Sequence, residues 1–159
     1  MAYADTLDVL FDEIFEHFKA VYDLYREAVQ GILPYRDKKS GLFYQIIDKG
    51  EINGNYTESS GSAMVAYSIL KGCNKGFLPC EKYLGIGKEI FDSLVCQKLK
   101  NIDGKPHLTD ICLVAGLGPG DKRDGSIQYY LSEKTGSDDS KGVGPFMMAY
   151  AQYLKAENR

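Results

Sequence analysis

Gly54-Asn55-Tyr56-Thr57-Glu58-Ser59-Ser60-Gly61-Ser62-Ala63-Met64 runs without a linker into Val65, Ala66, Tyr67, Ile69 and Leu70, so a polar stretch opens directly into an apolar one. Ser59, Ser60 and Ser62 are all capable helix N-caps. A helix start also offers unpaired N–H groups and partial positive charge, which suit an anionic ligand. Two readings are open at this point, a capped helix and a ligand-facing rim, and the company the stretch keeps bears on both.

The helix that follows, from about Ser60 to Lys71, is small and apolar round most of its circumference, so it has to be buried on nearly all sides. Ahead of it, Leu42-Phe43-Tyr44-Gln45-Ile46-Ile47 reads as a short extended run, and Gly50 to Asn55 as a loop. Behind it, Gly72 to Pro79 connects to an amphipathic helix from Cys80, with Tyr83, Leu84, Ile90, Phe91, Leu94, Val95 and Leu99 on one side. Gly85 and Gly87 weaken the first half of that helix.

At the N-terminal end, Leu7, Leu10, Phe11, Ile14, Phe15, Phe18, Val21, Tyr22, Tyr25 and Val29 recur at three- and four-residue steps. This predicts one amphipathic helix capped by Asp5 or Thr6 and stopped by Gly31, with His17 at its boundary. At the other end a helix opens at Gly142-Val143-Gly144-Pro145 and continues through Phe146, Met147, Met148, Ala149, Tyr150, Tyr153 and Leu154, again apolar nearly all round. Between them, Asn101 to Lys141 reads as long irregular chain with two strand-like runs, Ile111 to Ala115 and Ser126 to Leu131.

Amphipathic and nearly all-apolar helices thus alternate, which is the pattern of two concentric layers. Gly41-Leu42-Phe43-Tyr44-Gln45 leads to the first buried helix much as Asp124-Gly125-Ser126-Ile127-Gln128-Tyr129-Tyr130 leads to the second. Stacked helix pairs with their loops on one rim form an α-toroid or solenoid.

With 159 residues and 44% hydrophobic content, the chain suffices for a single domain, 1–159. Nineteen basic against 22 acidic residues, net charge −3, and no Lys/Arg-rich run argue against nucleic acid as a partner. Met1-Ala2-Tyr3-Ala4-Asp5 has neither a basic nor an apolar leader region, and no apolar run approaches the roughly 20 residues of a membrane span. The expectation is a cytoplasmic protein without membrane contact. Cys73, Cys80, Cys96 and Cys112 fit neither a metal knuckle nor a short disulfide framework, and with two histidines, His17 and His107, no metal site is expected.

Leu42-Phe43-Tyr44-Gln45, Asn55-Tyr56-x-Glu58-Ser59-Ser60-x-Ser62-Ala63-Met64, Val114-Ala115-Gly116-Leu117-Gly118, Arg123-Asp124-Gly125-Ser126-x-x-Tyr129-Tyr130-x-Ser132-Glu133 and Asp138-Asp139-x-Lys141-Gly142-Val143-Gly144-Pro145-Phe146 occur in this order over nearly the whole chain. Together they resemble the C-terminal portion of the unsaturated rhamnogalacturonyl hydrolases, glycoside hydrolase family 105, relatives of the unsaturated glucuronyl hydrolases of family 88. Phe43 stands where that family more often has tryptophan, and this chain has none.

The resemblance implies an all-α fold, a partial (α/α)6 toroid of about two helix hairpins with short strand-like segments in the rim loops. It implies hydrolysis of the unsaturated uronic acid at the end of pectin-derived oligosaccharides. In that chemistry an aspartic acid protonates the ring double bond, water adds to the oxocarbenium-like carbon, and the hemiacetal opens, which departs from the two-carboxylate scheme. No metal or organic cofactor is implied. Family members are longer, and the resemblance puts the catalytic aspartate in the part absent here. No catalytic residue is therefore assigned: Asp110, Asp124, Asp138 and Asp139 read as loop caps and solvated charges.

The resemblance leaves the rim as this chain's contribution to a sugar cleft. Glu58, Ser59 and Ser60 at one buried-helix start, and Asp139, Ser140 and Lys141 at the other, could bind a uronate or hold the loops that do. Tyr44, Gln45, Tyr129 and Tyr130 could line the cleft. Two functions are expected from this. One is a hydrolase portion, inactive alone, whose partner is an unsaturated uronic-acid oligosaccharide once an N-terminal half or a complementing chain completes it. The alternative is a non-catalytic helical module that binds saccharide or protein and self-associates through exposed apolar faces.

Overall fold

The computed structural model describes residues 1–10, 15–118 and 123–158. Its helices are α1 (Ala2–Leu10), α2 (Phe15–Ile32), α3 (Ser59–Asn74), α4 (Cys80–Lys98), the short α5 (Ile127–Ser132) and α6 (Ser140–Glu157). Between α4 and α6 lie two antiparallel ladders, β1 (Leu99–Ile102) with β2 (Lys105–Leu108) and β3 (Ile111–Cys112) with β4 (Thr135–Gly136).

The centre of the molecule is α3. Its apolar circumference predicts burial, and Ala63, Ala66, Ile69, Leu70 and Cys73 are all fully buried. It packs side by side with α6 and against α4 and α1. From outside, α2 reaches it through the Tyr25 hydroxyl, which donates to Ser68 O at 2.7 Å. The amphipathic α4 closes the other side, where Gly87 allows a tight fit: a Cβ there would lie 3.0 Å from Ile69 Cγ2 and 3.1 Å from Leu70 Cδ2. Close approach of two helices, not weak helix propensity, is the reason for that glycine. The inner pair α3 and α6, sheathed by α2 and α4, forms an arc of a helical toroid, the architecture the alternation predicts.

Several local expectations are corrected. The N-terminal stripe does not belong to one helix, because α1 packs against both α2 and α3. Asp5 and Asp8 of α1 pair with Lys71 of α3 and Lys75 just past its end, a tertiary preference that periodicity does not encode. Phe11 and Ile14 of that stripe lie outside the described residues, and Phe15 is 72% exposed.

Ser126 to Leu131 is not extended. Asp124 Oδ1 accepts from Ser126 N at 2.9 Å, and Ser126 Oγ accepts from Tyr129 N at 3.1 Å, so consecutive caps start α5 instead. The region after Asn101 is less irregular than its composition suggests. Asp103 and Gly104, with φ of +50° and +78°, make the two-residue turn between β1 and β2. Leu42 to Ile47 contributes a single bridge, Tyr44 to Thr57.

On α6 one face remains uncovered, with Met147 54%, Tyr150 43% and Leu154 43% exposed. The last helix is therefore inner on one side only. No helix among the described residues is long and apolar enough to cross a membrane.

Candidate functional site

A cleft forms where the run before α3 meets the start of that helix. Glu58 N donates to Phe43 O and Gln45 N to Tyr56 O, both at 2.8 Å, which lays residues 43–45 antiparallel to 56–58. Phe43 N donates to the buried Ser62 Oγ at 3.1 Å, fastening the run to the helix itself. Asn55 folds the intervening loop: its Nδ2 donates to Ile46 O and Lys49 O, and its Oδ1 accepts from Ile46 N and Tyr56 N. The resulting pocket, about 210 Å³, is lined by Ile32, Phe43, Tyr44, Gln45, Ile47, Glu58, Gly61 and Val65.

Glu58 is the N-cap of α3, a role the sequence reading gave to the serines. It is 5% exposed, and its carboxylate accepts from Gly61 N at 2.6 Å, from Ser60 Oγ at 2.8 and 2.9 Å, and from Cys112 N at 3.0 Å. Its negative charge also meets the positive end of the helix. A carboxylate so fully occupied is arranged to hold a rim together rather than to move a proton. Ser59 is fully buried and donates to Thr109 O at 2.6 Å, so it too is a tie between segments. Gln45 Nε2 donates to Cys112 Sγ at 3.3 Å. The Tyr56 phenol is held above its ordinary range, first by burial and then by the neighbouring Cys112.

At the second buried-helix start, Asp139 caps α6 by accepting from Lys141 N at 2.9 Å and pairs with the Lys141 ammonium at 3.0 Å. The backbone N–H of Lys141, and then its side chain, hold the Asp139 carboxyl below its usual range. Ser140 and Lys141 are exposed. Beside them Asp138, at φ +59°, accepts from Leu108 N at 2.9 Å and contacts His107 Nδ1 at 2.5 Å.

One short segment joins the two helix starts. Leu108 exchanges main-chain and side-chain hydrogen bonds with Asp138, Thr109 O and Asp110 O accept from Ser59, and Cys112 N donates to Glu58. The starts of α3 and α6 therefore lie on one rim, stapled by residues 108–112. Gly142 permits this closeness, since a Cβ there would come within 2.5 Å of Ile111 Cδ1.

The structure gathers Tyr44, Gln45 and Glu58 around one pocket, with Ser60 bonded to Glu58. The others are elsewhere. Tyr129, Tyr130, Asp139, Ser140 and Lys141 do not line it; Tyr129 is buried, donates to Gly116 O at 2.6 Å and packs on Tyr130 with ring centroids 5.2 Å apart. Sequence reading missed Asn55, Cys112 and the His107–Asp138 pair. Asn55 in a glycine-rich loop carried a local signal; Cys112 and His107 meet partners too distant in sequence for any pattern to show. Chemically the pocket presents aromatic faces, a fixed amide and apolar walls, which orient a polar ligand.

A family model described as Glycosyl Hydrolase Family 88 matches residues 1–157. Protein Atu3128 of Agrobacterium fabrum is 39% identical over 160 residues, an alignment spanning 97% of this chain and 67% of that protein. A solved glycoside hydrolase from family 105 of C. acetobutylicum superposes with a TM-score of 0.92 at 41% identity, covering 97% of this chain and 42% of that one. A possible family 105 member from Salmonella enterica, 20% identical with a TM-score of 0.79, shares the fold over 98% of this chain and 37% of its own. The chain thus spans well under half the length of these solved relatives. Its helical arc, its rim and its match over almost every residue place it in glycosyl hydrolase family 88, with family 105 glycoside hydrolases as its structural neighbours.

Proposed function

We propose that this chain forms part of the sugar cleft of a glycoside hydrolase acting on unsaturated uronyl oligosaccharides of pectic, rhamnogalacturonan type, and that the general-acid aspartate comes from further helices of the ring. The observation that carries this is the pocket at the start of α3, where Tyr44, Gln45 and Glu58 converge in a member of the family. Tyr44 and Gln45 contact the sugar, and Glu58 and Ser60 hold the rim. Asp110, Asp124, Asp138 and Asp139 are occupied otherwise, as caps and ion pairs.

An unsaturated uronyl disaccharide tests this directly. Titration is expected to shift the NMR amide signals of Tyr44 and Gln45 while double-bond absorbance stays constant. Turnover by this chain alone overturns the missing general acid; no shift at millimolar saccharide overturns the cleft.

A second reading, a non-catalytic module that self-associates, is favoured by the apolar face of α6 formed by Met147, Met148, Tyr150 and Leu154. Size-exclusion chromatography with light scattering is expected to show mass rising with concentration under this reading, and a constant monomer mass refutes it.

A further inference from the structure

We infer that α1 is a strap latched onto α3 by charge, able to release as a unit while the remaining helices stay folded. Apolar anchoring of α1 is confined to two side chains, the fully buried Ala4 and Leu7, with Met1 packed beside them against the core. The polar attachment is denser. Lys71, 7% exposed, donates to Asp5 at 2.6 Å and pairs with Asp8 at 3.2 Å; Lys75 pairs with Asp8 at 2.6 Å, and the Tyr67 hydroxyl donates to Asp5 at 2.5 Å. The three donors follow one another at four-residue steps along α3 and its C-cap, so a single helix face holds both carboxylates.

The carboxylates remain 41% and 32% exposed, which opens the latch to screening by salt. Burial works against the Lys71 charge, and the bonds to Asp5, Asp8 and Tyr67 override it, keeping the ammonium charged. Release exposes Lys71 to water, so the opened state strands no buried charge. Few apolar contacts and solvent-reachable attachments are the physical marks of a low-energy local opening.

The opening has a structural consequence. Met1 and Tyr3 form one wall of an apolar groove of about 360 Å³ whose other walls are Ala28 and Ile32 of α2 and Met64 and Ser68 of α3. Ile32, Gly61 and Val65 line this groove and also the cleft at the start of α3. Release of α1 removes one wall of a groove that shares three lining residues with the candidate site.

Native-state hydrogen exchange on the whole chain tests the latch. Amides of Thr6 to Leu10 are expected to exchange at least tenfold faster than those of Ile69 to Lys71, and to speed up a further tenfold in the Asp5→Asn/Asp8→Asn variant with α3 unchanged. The unaltered protein should move the same way between 0.05 and 1 M NaCl, which keeps the test intact if the variant does not fold. Equal exchange of α1 and α3, or exchange of α1 insensitive to salt, overturns the inference.

Discussion

The hydroxyl of Tyr25 donates to the main-chain oxygen of Ser68 across 2.7 Å, and a Cβ placed on Gly72 would lie 2.0 Å from that hydroxyl. One bond therefore sets how near α2 comes to α3, and Gly72 is the residue that lets it. Tyr25→Phe is expected to cost about 1 kcal/mol, the net worth of a buried hydrogen bond. Gly72→Ala should cost about 1–3 kcal/mol through overpacking, despite its better helix propensity. Because the phenylalanine side chain lacks the nearest clashing atom, Gly72→Ala should cost less when combined with Tyr25→Phe. Urea midpoints of the four proteins give the coupling, and strict additivity would refute the shared geometry.

Asp138 accepts from Leu108 N while contacting His107, and the His107 bond, then the Leu108 N–H, hold its carboxyl below the usual range. A carboxyl depressed on folding stabilises above its unfolded pKa of about 3.9 and loses that contribution as pH falls through the folded value. Asn tolerates the same left-handed backbone, so Asp138→Asn isolates the charge. The variant should be less stable than the parent at pH 7, with the gap shrinking below pH 4. A gap that persists at pH 2.5 contradicts the assignment.

The Asn55 side chain makes four hydrogen bonds inside its own loop, and the loop builds one wall of the cleft. Asn55→Ala should cost about 2–4 kcal/mol, two to three unreplaced bonds' worth. The NMR signals of Tyr44 and Gln45 should move with it, while those of α4 stay in place. Unmoved Tyr44 and Gln45 signals would detach the loop from the site.

How much of this was legible depended on whether the deciding contact was local. The all-round apolar character of Ala63 to Leu70 needs no partner to imply burial, and α3 is the core. Cys80 to Lys98 shows its outward charges in sequence, and α4 is peripheral. The α1–α2 division was hidden because Lys71, far along the chain, selects Asp5 and Asp8. The Asp103-Gly104 turn was readable, since that dipeptide is a strong hairpin signal, but the glycine-rich surroundings masked it. Tyr129 and Tyr130 have strand-forming composition, and two local caps at Asp124 and Ser126 outweighed it. For the cleft, Tyr44, Gln45 and Glu58 lie near one another in sequence and were found; Cys112 arrives from a separate segment and was not.

Glu58 is where that separate segment is held. Glu58→Ala leaves the Cys112 N–H buried without its acceptor and the first turn of α3 without its cap, together costing about 2–4 kcal/mol. Glu58→Gln keeps one accepting oxygen but turns its NH2 toward the N–H of either Gly61 or Cys112, so about 1–3 kcal/mol is expected. Residues 108–112 also carry Asp138 at the far helix, so loosening Cys112 should reach it: exchange of the Leu108 amide should rise in Glu58→Ala, and by less in Glu58→Gln, which keeps one of the two backbone acceptors. Were the Leu108 amide as protected in the alanine variant as in the parent, the two helix starts would be independently anchored and the single rim would have to be given up.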